Sequence, residues 1–379
     1  MKSIKLPNSI TTIGLNAFQN SGLSYIYIPS TTTNIDVRAF IYSKQLTNIE
    51  VDRFNTMYYS IDGCMYMYTG AKPTTLFMVA PGLTNYVMPE ETTGIYGDGD
   101  VTWSIGSLLQ TITLNEKVKG VTGRWFMYGF SNLTEINGPE RDDIKFYNGC
   151  IYNSDYSKLI YWPSGKVYSE AGLKCDESGN CLVREFGERA FSQNKLLNSF
   201  EVPACVTKLG EWALSNTSMS NLVVHENVTE IGNYCFSWNS ALKSIEINTT
   251  NISGTNMFST CGELVNVKLA NVQNIPDSMF HNCSKLIVID IPESVTKLGS
   301  SAFMNAGLVE LTIPEGIKSI GSDCFMGCVR LGDINCLPIV APSLGEEAFG
   351  NDNSNYTGSL ATYKEIHIPR NSSGYNSGD

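Results

Sequence analysis

The stretch that decides the fold runs from Leu286 to Cys328 and reads LIVIDIPESVTKLGSSAFMNAGLVELTIPEGIKSIGSDCFMGC. It contains one pattern twice: an apolar run that ends in Pro, a second apolar pair, a Gly, and a small residue followed by Phe. A period of 22 to 24 residues, typical of a solenoid, separates the positions of this Phe. We call this position the ring slot, and it is filled by Phe191, Leu214, Phe236, Phe258, Phe280, Phe303, Phe325 and Phe349.

Each repeat predicts one short strand and one short turn. Ile289 and Ile291 alternate with Asp290, which is the pattern of a half-buried strand. Pro292 ends the strand because it has no amide hydrogen to donate, and the residues before Phe303 suit a single helical turn. One repeat cannot enclose its own apolar residues, so equivalent strands should pair in parallel around a continuous core. We therefore predict a repeat solenoid of short parallel strands and short helical turns, forming one domain over residues 1–379.

The repeat is interrupted twice, at residues 54–82 and 146–165. Each interruption begins with an aromatic strand-like run that carries a turn signal, Asp62-Gly63 in the first and Asn148-Gly149 in the second. A second strand-like run follows in both and ends at a Pro. These segments are predicted to be two β-hairpin insertions.

Charge and hydropathy exclude some partners. The net charge of −11 argues against nucleic acid, which demands a basic surface. No apolar run reaches the roughly 18 residues of a transmembrane segment. Because Met1 already occupies a strand position, we expect the chain to be part of a longer protein.

The cysteines and histidines do not form a metal-site pattern. Five of the 11 Cys, at positions 235, 261, 283, 324 and 328, recur at fixed places near the ring slot and are interpreted as small core residues. Cys175 and Cys181 are the one pair whose spacing suits a local disulfide, and free thiols are the alternative. His225, His281 and His367 fall in different repeats, so neither a zinc site nor a catalytic triad is expected.

Acidic residues offer two further possibilities. The loops Asp98-Gly99-Asp100 and Asn351-Asp352-Asn353 contain oxygen ligands but lack the Glu that completes a calcium loop. An outward strand position could form a row of carboxylates for acid–base chemistry, although Thr, Asn, Val and Lys fill it in other repeats. A solvated sheet face explains this row better, so no catalytic residue, metal or cofactor is predicted. The row consists of Glu50, Glu201, Glu246 and Asp290.

The repeat resembles the BspA-like branch of leucine-rich repeats, and the two Asx-Gly-x-x-Tyr hairpins resemble inserts of that family. The chain departs from the pattern at Leu214 in the ring slot and at His225 and Asn248 in the Pro position. The resemblance implies a bacterial protein that is secreted or displayed at the cell surface and adheres to host proteins or to other cells. The motif is Leu286-x-x-Ile289-x-Ile291-Pro292-x-x-Val295-Thr296-x-Leu298-Gly299-x-x-Ala302-Phe303, closed elsewhere by the Cys of Phe280-x-x-Cys283.

The leading hypothesis is a non-catalytic protein that recognises a host or neighbouring-cell protein or glycan. The alternatives are a structural spacer on the cell surface and a glycan-processing enzyme that uses the acidic row. Exposed Tyr and Trp supply rigid contact area with a polar end, unless the rings only pack the hairpins onto the solenoid. The predicted ligand contacts are Tyr58, Tyr59, Tyr66, Tyr152, Tyr161 and Trp162.

Overall fold

The computed structural model describes residues 2–70, 72–96, 107–118, 130–250, 252–270, 272–350 and 365–375. The chain forms two compact units, Met1–Lys174 and Cys175–Asp379, each of which contains stacked repeats. The two candidate calcium loops, Asp98-Gly99-Asp100 and Asn351-Asp352-Asn353, lie outside the described residues.

The first unit contains three parallel sheets and two antiparallel inserts. Its parallel strands pair in the orders β1-β3-β5, β2-β4 and β9-β11-β12, and a 3-10 turn at Glu170–Gly172 follows the last strand. The strands are β1 (Ser3–Lys5), β2 (Thr12–Ile13), β3 (Tyr25–Ile28), β4 (Asn34–Ile35), β5 (Asn48–Val51), β6 (Tyr58–Ile61), β7 (Cys64–Thr69), β8 (Lys72–Met78), β9 (Asn85–Val87), β10 (Gly94–Ile95), β11 (Thr111–Thr113), β12 (Glu135–Asn137), β13 (Ile144–Tyr147), β14 (Cys150–Asn153) and β15 (Lys158–Tyr161).

The second unit is a regular parallel stack. Its strands pair in the orders β16-β18-β20, β17-β19-β21-β22, β23-β24-β26-β28 and β25-β27-β29. The strands are β16 (Glu185–Phe186), β17 (Ser199–Glu201), β18 (Lys208–Leu209), β19 (Asn221–Val224), β20 (Glu230–Ile231), β21 (Ser244–Ile247), β22 (Asn266–Leu269), β23 (Asn274–Ile275), β24 (Lys297–Leu298), β25 (Glu310–Ile313), β26 (Ser319–Ile320), β27 (Asp333–Cys336), β28 (Ser343–Leu344) and β29 (Glu365–His367).

The strands pair with equivalent residues side by side. Leu222 of β19 lies between Phe200 of β17 and Ile245 of β21, and all three side chains are buried. Since side chains alternate along a strand, this register stacks the apolar positions on the core side and leaves the positions between them outside. The predicted solenoid of short parallel strands is confirmed. The particular strand predicted from Ile289 and Ile291 was wrong, because residues 286–292 form no strand, although both Ile side chains are buried in the core.

The ring slots form stacked columns in both units. In the second unit, the rings from Phe236 to Phe349 follow one another with centroids 5.0–5.8 Å apart and interplanar angles of 2–18°. Phe18 and Phe40 stack in the same way in the first unit, at 5.4 Å. At Leu214 the column of rings is interrupted, and Phe191 packs instead against Phe186 and Phe200. The ring-slot side chain of one repeat is therefore buried by side chains of the adjacent repeats.

The predicted helical turns are tight turns that bond to the next repeat. The Phe303 N–H donates to the Cys324 carbonyl, 2.8 Å away, and the Phe280 N–H donates to the Ala302 carbonyl at the same distance. Two residues before and two residues after Phe303, the backbone enters the left-handed region, at Ser301 (φ 54°) and at Asn305 (φ 58°). Such residues stop helix propagation, so the segment stays a single turn. Strands and turns thus both supply hydrogen bonds between repeats.

The cysteines near the ring slot have a hydrogen-bonding role besides filling space. Cys261, Cys283 and Cys328 are fully buried, and each thiol lies 3.0–3.4 Å from the carbonyl oxygen of the ring-slot residue one repeat earlier. Ser43 and Asn239 occupy the same place in their repeats and donate to Phe18 and Leu214 carbonyls. The position therefore selects small residues that can donate a hydrogen bond inside the core.

Both inserts are three-stranded antiparallel meanders, with one strand more than a simple hairpin. In the first, β6 and β7 are joined by Asp62 (φ 49°) and Gly63 (φ 75°), and β8 continues the meander. In the second, Asn148 (φ 49°) and Gly149 (φ 69°) join β13 to β14, which pairs with β15. Positive φ at both turn residues is what a two-residue hairpin requires, so the Asx-Gly signals predicted these turns correctly.

The stacked ring column predicts a large cost for removing one ring. We expect Phe303→Ala to lower the free energy of unfolding by about 3–5 kcal/mol, because Phe303 is buried between two rings. Glu310→Ala, on the exposed face of β25, should change it by less than about 0.5 kcal/mol. Urea unfolding of both variants provides the measurement. Equal and small effects would contradict the core position of Phe303.

The thiols predict a reduced core. The 11 cysteines all lie in the described part of the chain and form no disulfide there, and burial raises the pKa of Cys261 to about 12 and that of Cys283 well above its usual value. We expect both to stay reduced and unlinked in mass spectrometry of the alkylated, unreduced protein. Cys175 and Cys181 are half-buried and face each other across an antiparallel bridge, so the same experiment decides between their two alternatives. A peptide linking Cys261 to Cys283 would contradict this prediction.

Candidate functional site

The aromatic residues predicted as ligand contacts lie mostly inside the protein. Tyr59 is half-buried and has accessible surface. The other five are at most 8% exposed, which favours the alternative that these rings pack the inserts onto the solenoid. They are Tyr58, Tyr66, Tyr152, Tyr161 and Trp162.

In the first insert, the buried hydroxyl groups bind other parts of the unit. The Tyr58 hydroxyl accepts the Ile35 N–H of β4 at 3.1 Å. The Tyr66 hydroxyl bonds to the Tyr86 hydroxyl of β9, and burial raises the pKa of Tyr66 to about 12. Because a buried hydroxyl must be paired to avoid a desolvation cost, these contacts fix the insert to the repeats.

In the second insert, the rings contact one another and the segment that follows. Trp162 packs against Tyr168 with centroids 5.3 Å apart, and its indole N–H donates to the Lys166 carbonyl at 3.2 Å. The Tyr161 hydroxyl lies 3.1 Å from the Ser164 hydroxyl, and burial raises the pKa of Tyr161 to about 12. These residues stabilise the insert.

A surface groove of about 380 Å³ lies in the first unit where β3, β5 and β6 meet. It contains Tyr59, the accessible residue of the predicted set, and Glu50 of the acidic row. The strand alternation positions its walls: Ile26 and Ile28 of β3 face the core, so Tyr25 and Tyr27 face outward. The groove is lined by Tyr27, Glu50, Val51, Asp52, Arg53, Phe54, Tyr59 and Ser60.

Two phenol–carboxylate pairs organise the polar wall of the groove. The Tyr25 hydroxyl donates to Glu50 Oε2 at 2.7 Å, and this bond to an anion raises the pKa of Tyr25 to about 12. The Tyr27 hydroxyl donates to Asp52 Oδ2 at 2.5 Å, which lowers the pKa of Asp52 and raises that of Tyr27. The phenols are therefore neutral and the Asp52 carboxylate ionised across the neutral pH range.

Cations and exposed rings form the rest of the groove. The Arg53 guanidinium lies 4.6 Å from the centroid of Phe54, a ring that is 69% exposed. Beside the groove, Lys5 Nζ lies 4.5 Å from the centroid of Tyr27. Tyr59 packs edge-on against Tyr68 with centroids 6.3 Å apart. The groove thus combines aromatic faces, the Arg53 cation and two carboxylates within one surface, with Lys5 beside it.

Sequence analysis missed most of this groove. Tyr25 and Tyr27 belong to a regular repeat, and Asp52, Arg53 and Phe54 lie at the junction with the first insert. The available signal was the alternation Tyr-Ile-Tyr-Ile in β3, because the outward positions of other strands carry mainly Asn, Glu, Ser, Thr or Lys. Two outward Tyr in one strand already indicate an unusual surface.

The acidic row does not bring carboxylates together in the second unit. Val223 of β19 lies between Glu201 and Glu246 in the strand register, and Glu246 Oε1 bonds to Lys268 Nζ at 2.7 Å. Asp290 is exposed and lies outside the strands. These residues fit the solvated sheet face that the sequence favoured.

The histidines have separate environments. His225 replaces the turn Pro, and its Nε2 contacts the Pro203 carbonyl at 2.7 Å. His281 is half-buried, and burial lowers its pKa. Within the described part of the chain, no three His, Cys, Asp or Glu side chains cluster as a metal site would require. The described residues likewise contain no helix long and apolar enough to cross a membrane.

The family model for the BspA type leucine-rich repeat region, in six copies, matches residues 1–69, 180–287 and 254–368. The chain belongs to this family. Among solved structures, the chain is similar to a leucine-rich repeat protein from Bacteroides ovatus, with 21% identity over 97% of this chain and 92% of that one and a TM-score of 0.51. This BspA-type repeat chain therefore shares the leucine-rich repeat fold.

Two further solved structures are similar at lower scores. A leucine-rich repeat protein from Eubacterium ventriosum is 19% identical over 81% of this chain and 83% of that one, with a TM-score of 0.46. A leucine-rich cell surface protein from Faecalibacterium prausnitzii is 17% identical over 89% and 88%, with a TM-score of 0.35. The comparison with curated proteins gave no match.

Burial in the inserts predicts which Tyr residues stabilise the unit. We expect Tyr66→Ala to lower the free energy of unfolding by about 3–5 kcal/mol, as for other buried rings. Tyr59→Ala, at a half-buried ring on the groove, should cost less than about 1 kcal/mol. Chemical unfolding of the two variants makes the comparison. A similar loss in both would show that Tyr59 is a packing residue as well.

Proposed function

We propose that this BspA-type chain is a non-catalytic recognition protein, displayed at the cell surface or secreted, and that the groove binds a segment of a host or neighbouring-cell protein. The observation that carries the proposal is the exposed Phe54 ring beside Arg53, next to the ordered Tyr27 and Asp52 pair. The location is proposed from family membership.

The residue types of the groove support a protein partner. Tyr and Arg are enriched among residues that dominate interface energies, because they combine apolar area with directional hydrogen bonds. Arg53, Phe54 and Tyr59 bring both properties to one groove. A volume of about 380 Å³ suits one or two side chains of a bound segment.

The charge arrangement supports selective binding. Arg53 offers hydrogen-bond donors, while Asp52 and Glu50 offer acceptors already oriented by phenols. Because these groups are ordered before binding, a partner loses less entropy in aligning with them. A segment that carries both an acidic and a basic side chain beside an apolar one would match the groove.

The groove fits binding better than acid–base catalysis. A glycan-processing enzyme needs one carboxyl group whose pKa is raised so that it can donate a proton near neutral pH. The hydrogen bond from Tyr27 instead lowers the pKa of Asp52. A spacer would not need an exposed, ordered aromatic groove, so recognition is the function this surface supports best.

Point variants of the groove test the proposal more cleanly than deletion of an insert, since the inserts contribute buried core residues. The probe is a set of immobilised matrix proteins, namely fibronectin, laminin, fibrinogen and collagen, in biolayer interferometry. We expect Phe54→Ala and Arg53→Ala each to weaken binding at least about tenfold, as loss of a dominant contact does. The matched control is Val87→Ala, which removes an equally exposed apolar side chain of the same unit. Unchanged affinity in both groove variants, or binding to none of the probes, would overturn the proposal.

A further inference from the structure

The second unit carries an aromatic cluster at turn positions where the fold does not require rings. The residue two positions before the ring slot has a positive φ in each described repeat of this unit, and so has the residue two positions after it. Most of these positions hold small or polar residues, as expected for the left-handed region. Trp212 (φ 58°), Tyr234 (φ 56°) and Trp238 (φ 59°) are the exceptions, in two adjacent repeats.

Bulky rings at these positions cost stability, which argues for a role outside folding. A bulky residue held in the left-handed region is strained, and such strained residues concentrate at ligand sites. In the row two positions after the ring slot, neighbouring repeats fold with Gln193, Asn216, Thr260, Asn282 and Asn305. The fold therefore accepts a polar side chain where Trp238 stands.

Trp212 is the centre of the cluster and supports the other rings. On one face it stacks on Tyr234, with centroids 4.2 Å apart and an interplanar angle of 1°. The Arg189 guanidinium lies 5.0 Å from its centroid, and its indole N–H donates to Glu211 Oε1 at 3.0 Å. Trp238 leans on Trp212 at 5.2 Å and 55° and remains 50% exposed. The indole of Trp238 therefore packs against Trp212 and remains accessible to solvent over the rest of its surface.

The surroundings of Trp238 are polar, and their charges are engaged within the protein. Lys195 Nζ donates to the carbonyl and side-chain oxygens of Asn216, at 2.6 and 2.8 Å. Arg189 lies beside Glu188 and against the Trp212 ring. The residues two positions after the ring slot place amide and hydroxyl groups on both sides of the Trp238 indole. These groups repeat at the strand spacing of about 4.8 Å. This combination suits a ligand with an apolar face and many hydroxyl groups, without net charge.

We propose that Trp238, supported by Trp212 and Tyr234, is a binding platform for a neutral saccharide. A pyranose ring offers C–H groups on one face, which stack on the indole, and hydroxyl groups at its edge, which bond to the flanking amides. Consecutive units of a linear glycan follow the row of turn residues, with Asn216 on one side of Trp238 and Thr260 on the other. This site is separate from the groove in residues and in ligand class.

The experiment is native affinity electrophoresis of the whole chain in gels that contain soluble neutral polysaccharides. The probes are a mixed-linkage β-glucan, glycogen, a mannan and a galactomannan, with polygalacturonate as the charged comparison. We expect at least one neutral probe to retard the chain, and Trp238→Asn to weaken this binding at least about tenfold because the stacking surface is lost. Trp238→Phe, which keeps a smaller ring, should bind with intermediate affinity.

The controls separate this proposal from loss of folding and from the groove. Asn fills the same turn position at residues 216, 282 and 305, so Trp238→Asn should not lower the thermal midpoint. Tyr42→Asn makes the same change at the same position of the first unit, where Tyr42 is 44% exposed, and should bind like the unmodified chain. Phe54→Ala should also be retarded normally. Retardation by no neutral probe, by polygalacturonate alone, or equally in Trp238→Asn would overturn the proposal.

Discussion

The structure depends on hydrogen bonds and ring contacts that run from one repeat to the next. Neighbouring repeats share one core, because rings such as Phe280 and Phe303 are covered by the rings before and after them. The backbone follows the same rule: the Phe303 N–H is satisfied by Cys324 of the next repeat, and Leu222 lies between strands on both sides. Stability is consequently a property of neighbouring pairs of repeats, as in other solenoids.

This dependence explains why polar atoms occur inside the core. A carbonyl oxygen has two lone pairs, and a ring-slot carbonyl such as that of Phe258 accepts the Cys261 N–H at 3.1 Å and keeps a second acceptor position inside the core. The thiols of Cys261 and Cys283 supply a second donor to these carbonyls, and the Asn239 amide and the Ser43 hydroxyl donate at the same place in their repeats. Cysteine suits the position because it is small and apolar enough for a ring-lined core while still able to donate weakly.

The period made the repeats predictable, since the ring slot, the strand and the turn recur in one order. The inserts were predictable as antiparallel strands from Asp62-Gly63 and Asn148-Gly149, whose backbone requirements are local. The burial of Tyr66 was not predictable, because Cys64, Met65 and Tyr66 are consecutive and all fully buried. Alternation of apolar and polar residues indicates a strand with one buried face. A strand that is buried on both faces shows no such alternation. The groove was missed for a related reason: it joins side chains from three strands, and no local pattern records their proximity.

Charge limits what both proposed surfaces can bind. The net charge of −11 disfavours the approach of acidic macromolecules, although at physiological salt this field is screened beyond about 8 Å. At contact distance the local charges already have contacts within the protein, Glu50 and Asp52 with phenols and Arg189 with Glu188 and a ring, so they act on a ligand mainly through directed hydrogen bonds. Ion pairs between repeats, such as Lys285 with Glu263, are exposed and contribute little energy. Affinity must therefore come from aromatic area and directed hydrogen bonds, which places it at Phe54 and Trp238, where exposed rings lie beside ordered polar groups.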